Sequence, residues 1–343
     1  MKTTTKFAVA ALAAVLALNS YAANPAKAAK SAPTGNADVE IFADQKNSIT
    51  RFKNLMPPNV KTIACLALGS HPGSKGYHTG IELLRKAGYK VKVMPNAFAK
   101  PEKGKTSAPL QGRLSDFYTA WNDPEVDMIL CIRGGRGCQE VMQSVDWSKL
   151  PRRNDLYVQG YSDVTMILCA LLKHGYGYPI AGPMVGGMQG LVADALEDMR
   201  KMHHGEQVGP IAVEALVPGD CQGLPLAGLL SRFSWAVNTS DHPPVKGRII
   251  FIESVSSNND AIRQQFQTLL DAKFFEGAAG VVFCCFTKTG DAKVTDALLR
   301  EIAPKLGVPV YMGFPFGHRN ISRTIDYQRK VVIKNNQVTF PAK

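Results

Sequence analysis

The sequence predicts an α/β protein: an N-terminal doubly wound parallel sheet followed by a smaller C-terminal α/β domain. Three observations carry that expectation. From about residue 58 onward, short apolar runs alternate with helix-length segments, the order that produces parallel strands with crossover helices. Two glycine-bearing segments, Ile132-Arg133-Gly134-Gly135-Arg136-Gly137 and Gly160-Tyr161-Ser162-Asp163-Val164-Thr165, each follow an apolar run and open a helix. The alternation then restarts near residue 223.

Each element follows from local pattern. Residues 62–68 read as a buried strand, 69–76 as a glycine-rich loop, and 77–87 as a helix stopped by Gly88. Strand 90–94, helix 110–121, strand 127–132, helix 138–144, strand 156–159, helix 163–174 and strand 179–181 complete the N-terminal nucleophile domain, 58–182. Residues 183–222 are expected to link the halves and to hold one amphipathic helix, 191–202. The C-terminal domain, 223–343, adds strand 224–230, strand 248–252 ending at Glu253, helix 261–272, strand 280–286, helix 294–306 and strand 308–312. Segments 328–333 and 338–340 can close as a hairpin across Asn335-Asn336, since asparagine tolerates the left-handed turn.

The first 22 residues stand apart. A basic start with Lys2 and Lys6, an apolar run over 7–18, and the small residues around Ser20-Tyr21-Ala22 make a signal peptide. The apolar run is too short to span a bilayer comfortably, which disfavours a retained anchor. The mature chain is therefore expected in the periplasm or outside the cell. Residues 23–57, rich in Ala, Lys, Asn, Ser and Pro, read as a tether and lead-in. No later run approaches the length of about 18 apolar residues that a membrane helix needs. Without Lys2 and Lys6 the formal charge falls from +12 to +10, a basic surface suited to anionic surroundings. No zinc-finger spacing or aromatic-basic ladder points to nucleic acid. The seven cysteines lie mostly in strand-like or helix-like apolar runs, where a thiol packs as a small hydrophobe. They form neither a disulfide scaffold nor a metal site, and no cofactor is expected; a homodimer stays open.

Ser162 sits where a strand turns into a helix, the place where an α/β-hydrolase presents its nucleophile. The G-x-S-x-G pattern fails, because Val164 stands two residues after the serine. Ser and Asp are also ordinary helix caps. Paired glycines in the Arg133–Gly137 loop can turn bare N–H groups toward an anion. A phosphate-binding turn or a tight packing contact fits that loop equally, although a G-x-G-x-x-G fingerprint and a Walker lysine are absent. Among the histidines, His71 and His78 flank the first glycine-rich loop, His174 closes a helix, and His203 and His204 end an exposed helix. His242 precedes Pro243-Pro244, and His318 lies just past a strand. Sites in α/β folds gather at strand ends, which favours His318. Glu253 also ends a strand, where a surface carboxylate is common.

Taken together and in order, these segments resemble the serine LD-carboxypeptidases of peptidoglycan recycling, whose relatives include the microcin C self-immunity peptidases. The resemblance runs from about Thr62 to Val338. Arg133-Gly134-Gly135-Arg136-Gly137 is similar to the family's Arg-Gly-Gly-aromatic-Gly loop, and Gly160–Thr165 to its nucleophile segment. Ile252-Glu253-Ser254-Val255 and Gly317-His318 are similar to the segments bearing its acid and base. The resemblance implies a Ser162, Glu253 and His318 triad in an interdomain cleft. It also implies an oxyanion hole from the N–H groups of Gly135 and Asp163. Arg133, Gly134 and Arg136 are expected to contact substrate, with an arginine on its carboxylate. The implied reaction is hydrolysis of the amide between a diamino acid and the terminal D-Ala of a muropeptide tetrapeptide. Peptidases of peptide-nucleotide antibiotics and a non-catalytic muropeptide-binding protein are the alternatives. Arg136 replaces the aromatic of the loop, and Arg319-Asn320-Ile321-Ser322 is atypical. Leu229 stands where the family's Gly-Gly-Asn-Leu-Ser stretch has Asn.

Overall fold

The computed structural model describes residues 49–73 and 75–343; the expected signal peptide and most of the tether lie outside the described residues. Within them, two sheets organise the chain. The first contains β1 (Thr62–Leu66), β2 (Lys90–Val93), β3 (Met128–Cys131), β4 (Tyr157–Gly160) and β5 (Tyr178–Ala181), in the order 5-4-3-1-2. All four junctions are parallel. Strands β1 and β3 are buried at every position, as expected where helices cover both faces. The connecting helices are α1 (Lys75–Lys86), α2 (Leu110–Asn122), α3 (Cys138–Ser144) and α4 (Thr165–His174). The chain leaves β1 toward β2 and returns to the other side of β1 as β3. A crevice opens at such a reversal, beyond the strands' carboxyl ends. The loop after β1 and the Arg133–Gly137 loop meet there, and the Ser70 N–H donates to the Gly134 carbonyl at 2.9 Å.

Residues 183–222 hold more structure than a link. They carry α5 (Val185–Met188), α6 (Ala193–His203), β6 (Val208–Ala212) and β7 (Glu214–Val217). The last two are the outer strands of a second sheet, ordered β6-β14-β13-β8-β9-β10-β11-β7. Pro210 and the half-exposed pattern of β6 hide it from a periodicity search and suit it to an edge. The centre of this sheet is parallel: β8 (Cys221–Leu229), β9 (Arg248–Val255), β10 (Gly280–Thr287) and β11 (Val310–Met312). Helices α7 (Leu230–Ala236), α8 (Asn259–Asp271) and α9 (Ala292–Ile302) connect them. Asn258 and Asp291 cap α8 and α9 through their side chains, so both helices start two residues before the apolar pattern does. Helix α9 ends at Ile302, and a 3₁₀ turn over Ala303–Leu306 follows, because Pro304 cannot continue an α-helix.

Strand β12 (Ile325–Asp326), absent from the sequence reading, pairs antiparallel with β5 and ties the C-terminal part into the first sheet. The hairpin β13 (Val331–Lys334) and β14 (Gln337–Phe340) forms as expected, with Lys334 opposite Gln337. Asn335 and Asn336 have φ of 50° and 58°, the pair of left-handed residues that a type I′ turn requires.

Two further expectations need correction or extension. His203 does not end an exposed helix: it is buried, with Nδ1 2.7 Å from the Leu55 carbonyl and Nε2 2.8 Å from Gln159 Oε1. It stitches α6 to β4 and to the lead-in, whose Phe52, Leu55 and Met56 are buried. All seven cysteines are free thiols, and burial pushes Cys65 and Cys131 up to about 12. A His203→Leu substitution leaves the Leu55 carbonyl and Gln159 Oε1 unpaired in the core. A loss of about 2–4 kcal/mol is expected, read as a lower urea midpoint at unchanged slope.

Candidate active site

Ser162 is presented by a sharp turn. Strand β4 ends at Gly160, Tyr161 is extended, and Ser162 takes φ of +65° before a 3₁₀ turn over Ser162–Val164 leads into α4. A left-handed serine stores strain, on the order of 1–3 kcal/mol, that surrounding contacts must hold. Gly134 supplies one of them: a Cβ there would lie 2.9 Å from Ser162 Cβ and 3.1 Å from Oγ. Helix α4 supplies another. Thr165 Oγ1 accepts the Leu229 N–H at 3.1 Å, and its methyl occupies the place where a side chain on Gly228 would sit. The Ser162 turn of the first sheet is thereby docked on β8 of the second.

His318 arrives from the opposite side. It follows β11 on a loop whose Gly317 has φ of +129°. A Cβ on Gly317 would stand 2.9 Å from Glu253 Cβ, so glycine is what lets the loop lie on the carboxylate. His318 Nε2 is 3.0 Å from Ser162 Oγ, and Nδ1 is 2.9 Å from Glu253 Oε2. Since Glu253 is an acceptor, the imidazole that donates from Nδ1 keeps Nε2 free to accept the serine proton. Glu253 is not at a strand's exposed end, because β9 runs on to Val255 and buries it completely. Burial raises its carboxyl above the ordinary range, opposed by the bond to His318. Four other histidines are engaged elsewhere: His174 with Asp241, His204 with the Asn54 carbonyl, His78 on Phe98 and His242 on Phe274.

The other glycine-bearing segment, the Arg133–Gly137 loop, and Asp163 frame the serine. Asp163, fully buried, accepts the Cys138 N–H at 3.0 Å and the Arg232 Nε–H at 2.6 Å. Its own N–H lies in the first turn, which has no intrahelical acceptor. Gly135 has φ of +103°, and the next N–H, that of Arg136, donates to Ser70 Oγ. Arg133 and Arg136 reach the same cavity of about 780 Å³ as Gly134, Gly135, Ser162 and His318. Arg133 donates from Nη1 to the His71 carbonyl, and Arg136 is exposed. Among the described residues, no group of three or more His, Cys, Asp or Glu side chains could hold a metal ion.

Family comparison agrees with the order of these segments. Residues 62–180 match the LD-carboxypeptidase N-terminal domain, and residues 222–333 match the LD-carboxypeptidase C-terminal domain. The chain belongs to the LD-carboxypeptidase family. A relative named murein tetrapeptide carboxypeptidase, from Pseudomonas aeruginosa, is 26% identical over 252 residues, covering 67% of this chain and 80% of its own. One named "probable murein peptide carboxypeptidase", from Bacillus subtilis, is 25% identical over 294 residues, covering 81% and 90%. The crystal structure of muramoyltetrapeptide carboxypeptidase from Oxalobacter formigenes shares the two-domain fold, with a TM-score of 0.72 at 22% identity over 82% of this chain and all of that one. So does the microcin C7 self-immunity protein MccF, in complex with glutamyl sulfamoyl guanosine, with a TM-score of 0.69 at 18% identity over 84% and 98%.

In this LD-carboxypeptidase family member, two arginines that sequence reasoning misses support the cavity. Arg113, buried on α2, donates to the carbonyls of Ala108, Leu68 and Gly137 and pairs with Glu140, holding both glycine-rich loops. Arg232, on α7, holds Asp163. Neither belongs to a motif, since the partners are far away in sequence.

The raised carboxyl of Glu253 has a stability consequence. The folded protein holds that proton more tightly than the unfolded chain does. Its contribution is therefore fully present below the ordinary carboxylate range and is lost as pH rises through the raised value. Urea unfolding at a series of pH values should show this decline in the wild type. The decline should be smaller in Glu253→Gln, where the raised carboxyls of Asp116, Asp198 and Asp326 still contribute, and this variant is expected to equal or exceed wild-type stability at neutral pH.

Proposed function

We propose that this protein is a serine LD-carboxypeptidase that hydrolyses the amide between the diamino acid and the terminal D-Ala of muropeptide tetrapeptides, in peptidoglycan turnover or recycling. The observation that carries the reading is the continuous hydrogen-bonded chain from Ser162 through His318 to buried Glu253, in a member of this family. Names of relatives such as murein tetrapeptide carboxypeptidase favour the same substrate class.

The steps follow from the parts. Ser162 Oγ attacks the scissile carbonyl while His318 Nε2 takes its proton, since a serine hydroxyl is a poor nucleophile without a base. The carbonyl oxygen becomes an anion held by the N–H groups of Asp163 and Gly135, a type of contact worth on the order of 10²–10³ in turnover. His318 returns the proton to the departing amine, the C–N bond breaks, and D-Ala leaves from an acyl-Ser162 ester. Water, deprotonated by His318, then attacks the ester and regenerates the serine. Glu253 keeps the imidazole in the productive tautomer and offsets its charge in both half-reactions. The basic start and apolar run over the first 22 residues support export, placing the enzyme in the periplasm or outside the cell.

A second substrate reading, amide-linked peptide-nucleotide compounds, is favoured by Leu229 and Arg136, the two cavity residues that depart from the family's expected pattern. Incubating the protein with a defined tetrapeptide and with an aminoacyl sulfamoyl adenylate separates the two; D-Ala release at the higher kcat/KM is the expected result. Ser162→Ala and His318→Ala should each lower D-Ala release by about 10⁴-fold or more. Full activity in either variant, with products identified by mass, overturns the assignment.

A further inference from the structure

A peptidase that removes one terminal residue must tell a chain end from an internal bond, and the chemical mark of the end is its carboxylate. With the scissile carbonyl at Ser162, that carboxylate lies one residue beyond it. Its cation must therefore stand in the same cavity as the nucleophile. Three arginines do: Arg133, Arg136 and Arg232.

They are held differently. Arg136 is exposed, and its hydrogen bonds are made by its backbone, to Ser70 and from Ser107. Arg133 already commits Nη1 to the His71 carbonyl. Arg232 is gripped at one point, with Nε 2.6 Å from Asp163 Oδ1; its side chain is 19% exposed, whereas that of Asp163 is fully buried. Among the described residues its two Nη groups make no hydrogen bond, and they are not among the buried unpaired atoms. A guanidinium held through Nε keeps its end-on pair of Nη donors, the fork that matches both oxygens of a carboxylate. Leu229, three residues earlier at the start of the same helix and on the same cavity wall, offers no competing polar group.

We propose that Arg232 is the specificity-determining anchor for the free α-carboxylate of the substrate's last residue. The proposal rests on the carboxypeptidase reading and supplies its missing recognition element. Asp163 gives the arrangement its register. Its N–H faces the developing oxyanion in the mechanism above, while its side chain holds Arg232. One buried residue thus ties the place of the scissile carbonyl to that of the chain end. Because Asp163 cancels the long-range charge of Arg232, recognition works through short hydrogen bonds and should depend little on salt.

The test compares a tetrapeptide ending in diaminoacyl-D-Ala with the same peptide carrying a C-terminal amide. The wild type should prefer the free acid at least tenfold in kcat/KM. Arg232→Lys keeps a positive charge against Asp163 but loses the fork. It should lose at least tenfold on the acid, mainly through KM, and less than threefold on the amide, so the preference collapses. Equal losses on both peptides would make Arg232 a structural support and overturn the proposal. So would a collapse in Arg133→Lys or Arg136→Lys with Arg232→Lys unaffected. If Arg232→Lys does not fold, Arg232→Gln combined with Asp163→Asn removes both charges of the pair and is held to the same ratio. A wild type that cleaves neither peptide overturns the proposed reaction and the anchor with it, whereas an active wild type with equal losses overturns the anchor alone.

Discussion

Ser162 and His318 belong to different sheets, and the 3.0 Å between them depends on how α4 meets β8. Gly228 presents bare backbone to Thr165, so the helix behind Ser162 settles against the second sheet without an intervening side chain. The Leu229 N–H then bonds to Thr165 Oγ1 and fixes the approach along the strand. Helix α4 is buried from Thr165 through Leu171, which leaves it little freedom to shift. A displacement of about 1 Å at such a contact would cost the reacting groups their alignment, because catalysis by positioning tolerates little error.

Around that contact the molecule accumulates local costs. Ser162 is left-handed, Glu253 is buried with Oε1 lacking a protein donor, and Asp163 is buried against a single cation. Each departs from a rule that most of the fold obeys. Strands β1 and β3 are buried throughout, α8 and α9 are capped, and the β13–β14 turn carries the residues its geometry demands. A chain largely consistent elsewhere can hold a few strained groups in place, and such groups often gather where chemistry is done.

The same contrast explains what the sequence revealed. The five parallel strands and the strand-to-helix turn at Ser162 were legible because apolar runs, glycines and helix stops are local signals. Ser162 and His318 stood out by sitting where strands end. Glu253 also stood at an expected strand end, but its burial was not legible, since it depends on β9 continuing to Val255 and on a loop some 65 residues away covering it. Strands β6 and β7 escaped notice because edge strands are short and half exposed, and β6 carries a proline. Arg113 and Arg232 were silent for a different reason. An arginine's role lies in its partners, and those of Arg232 and Arg113 are up to 69 and 45 positions distant.

Those silent arginines divide the labour of the cavity. Arg113 is spent entirely within the protein, on three carbonyls and Glu140, and it fixes the loops that carry Gly134 and Gly135. Arg232 makes one bond inward and leaves the rest of its guanidinium facing the cavity. Burying a cation for structure alone favours saturating its donors, since an unpaired buried donor is costly. Only a cation with a partner still to come gains from leaving donors open at a wall that water and ligand can reach. The two arginines thus separate a rigid frame from a recognition surface, and Asp163 joins them: it receives Arg232 on one oxygen and the Cys138 N–H, at the end of the loop that Arg113 holds, on the other.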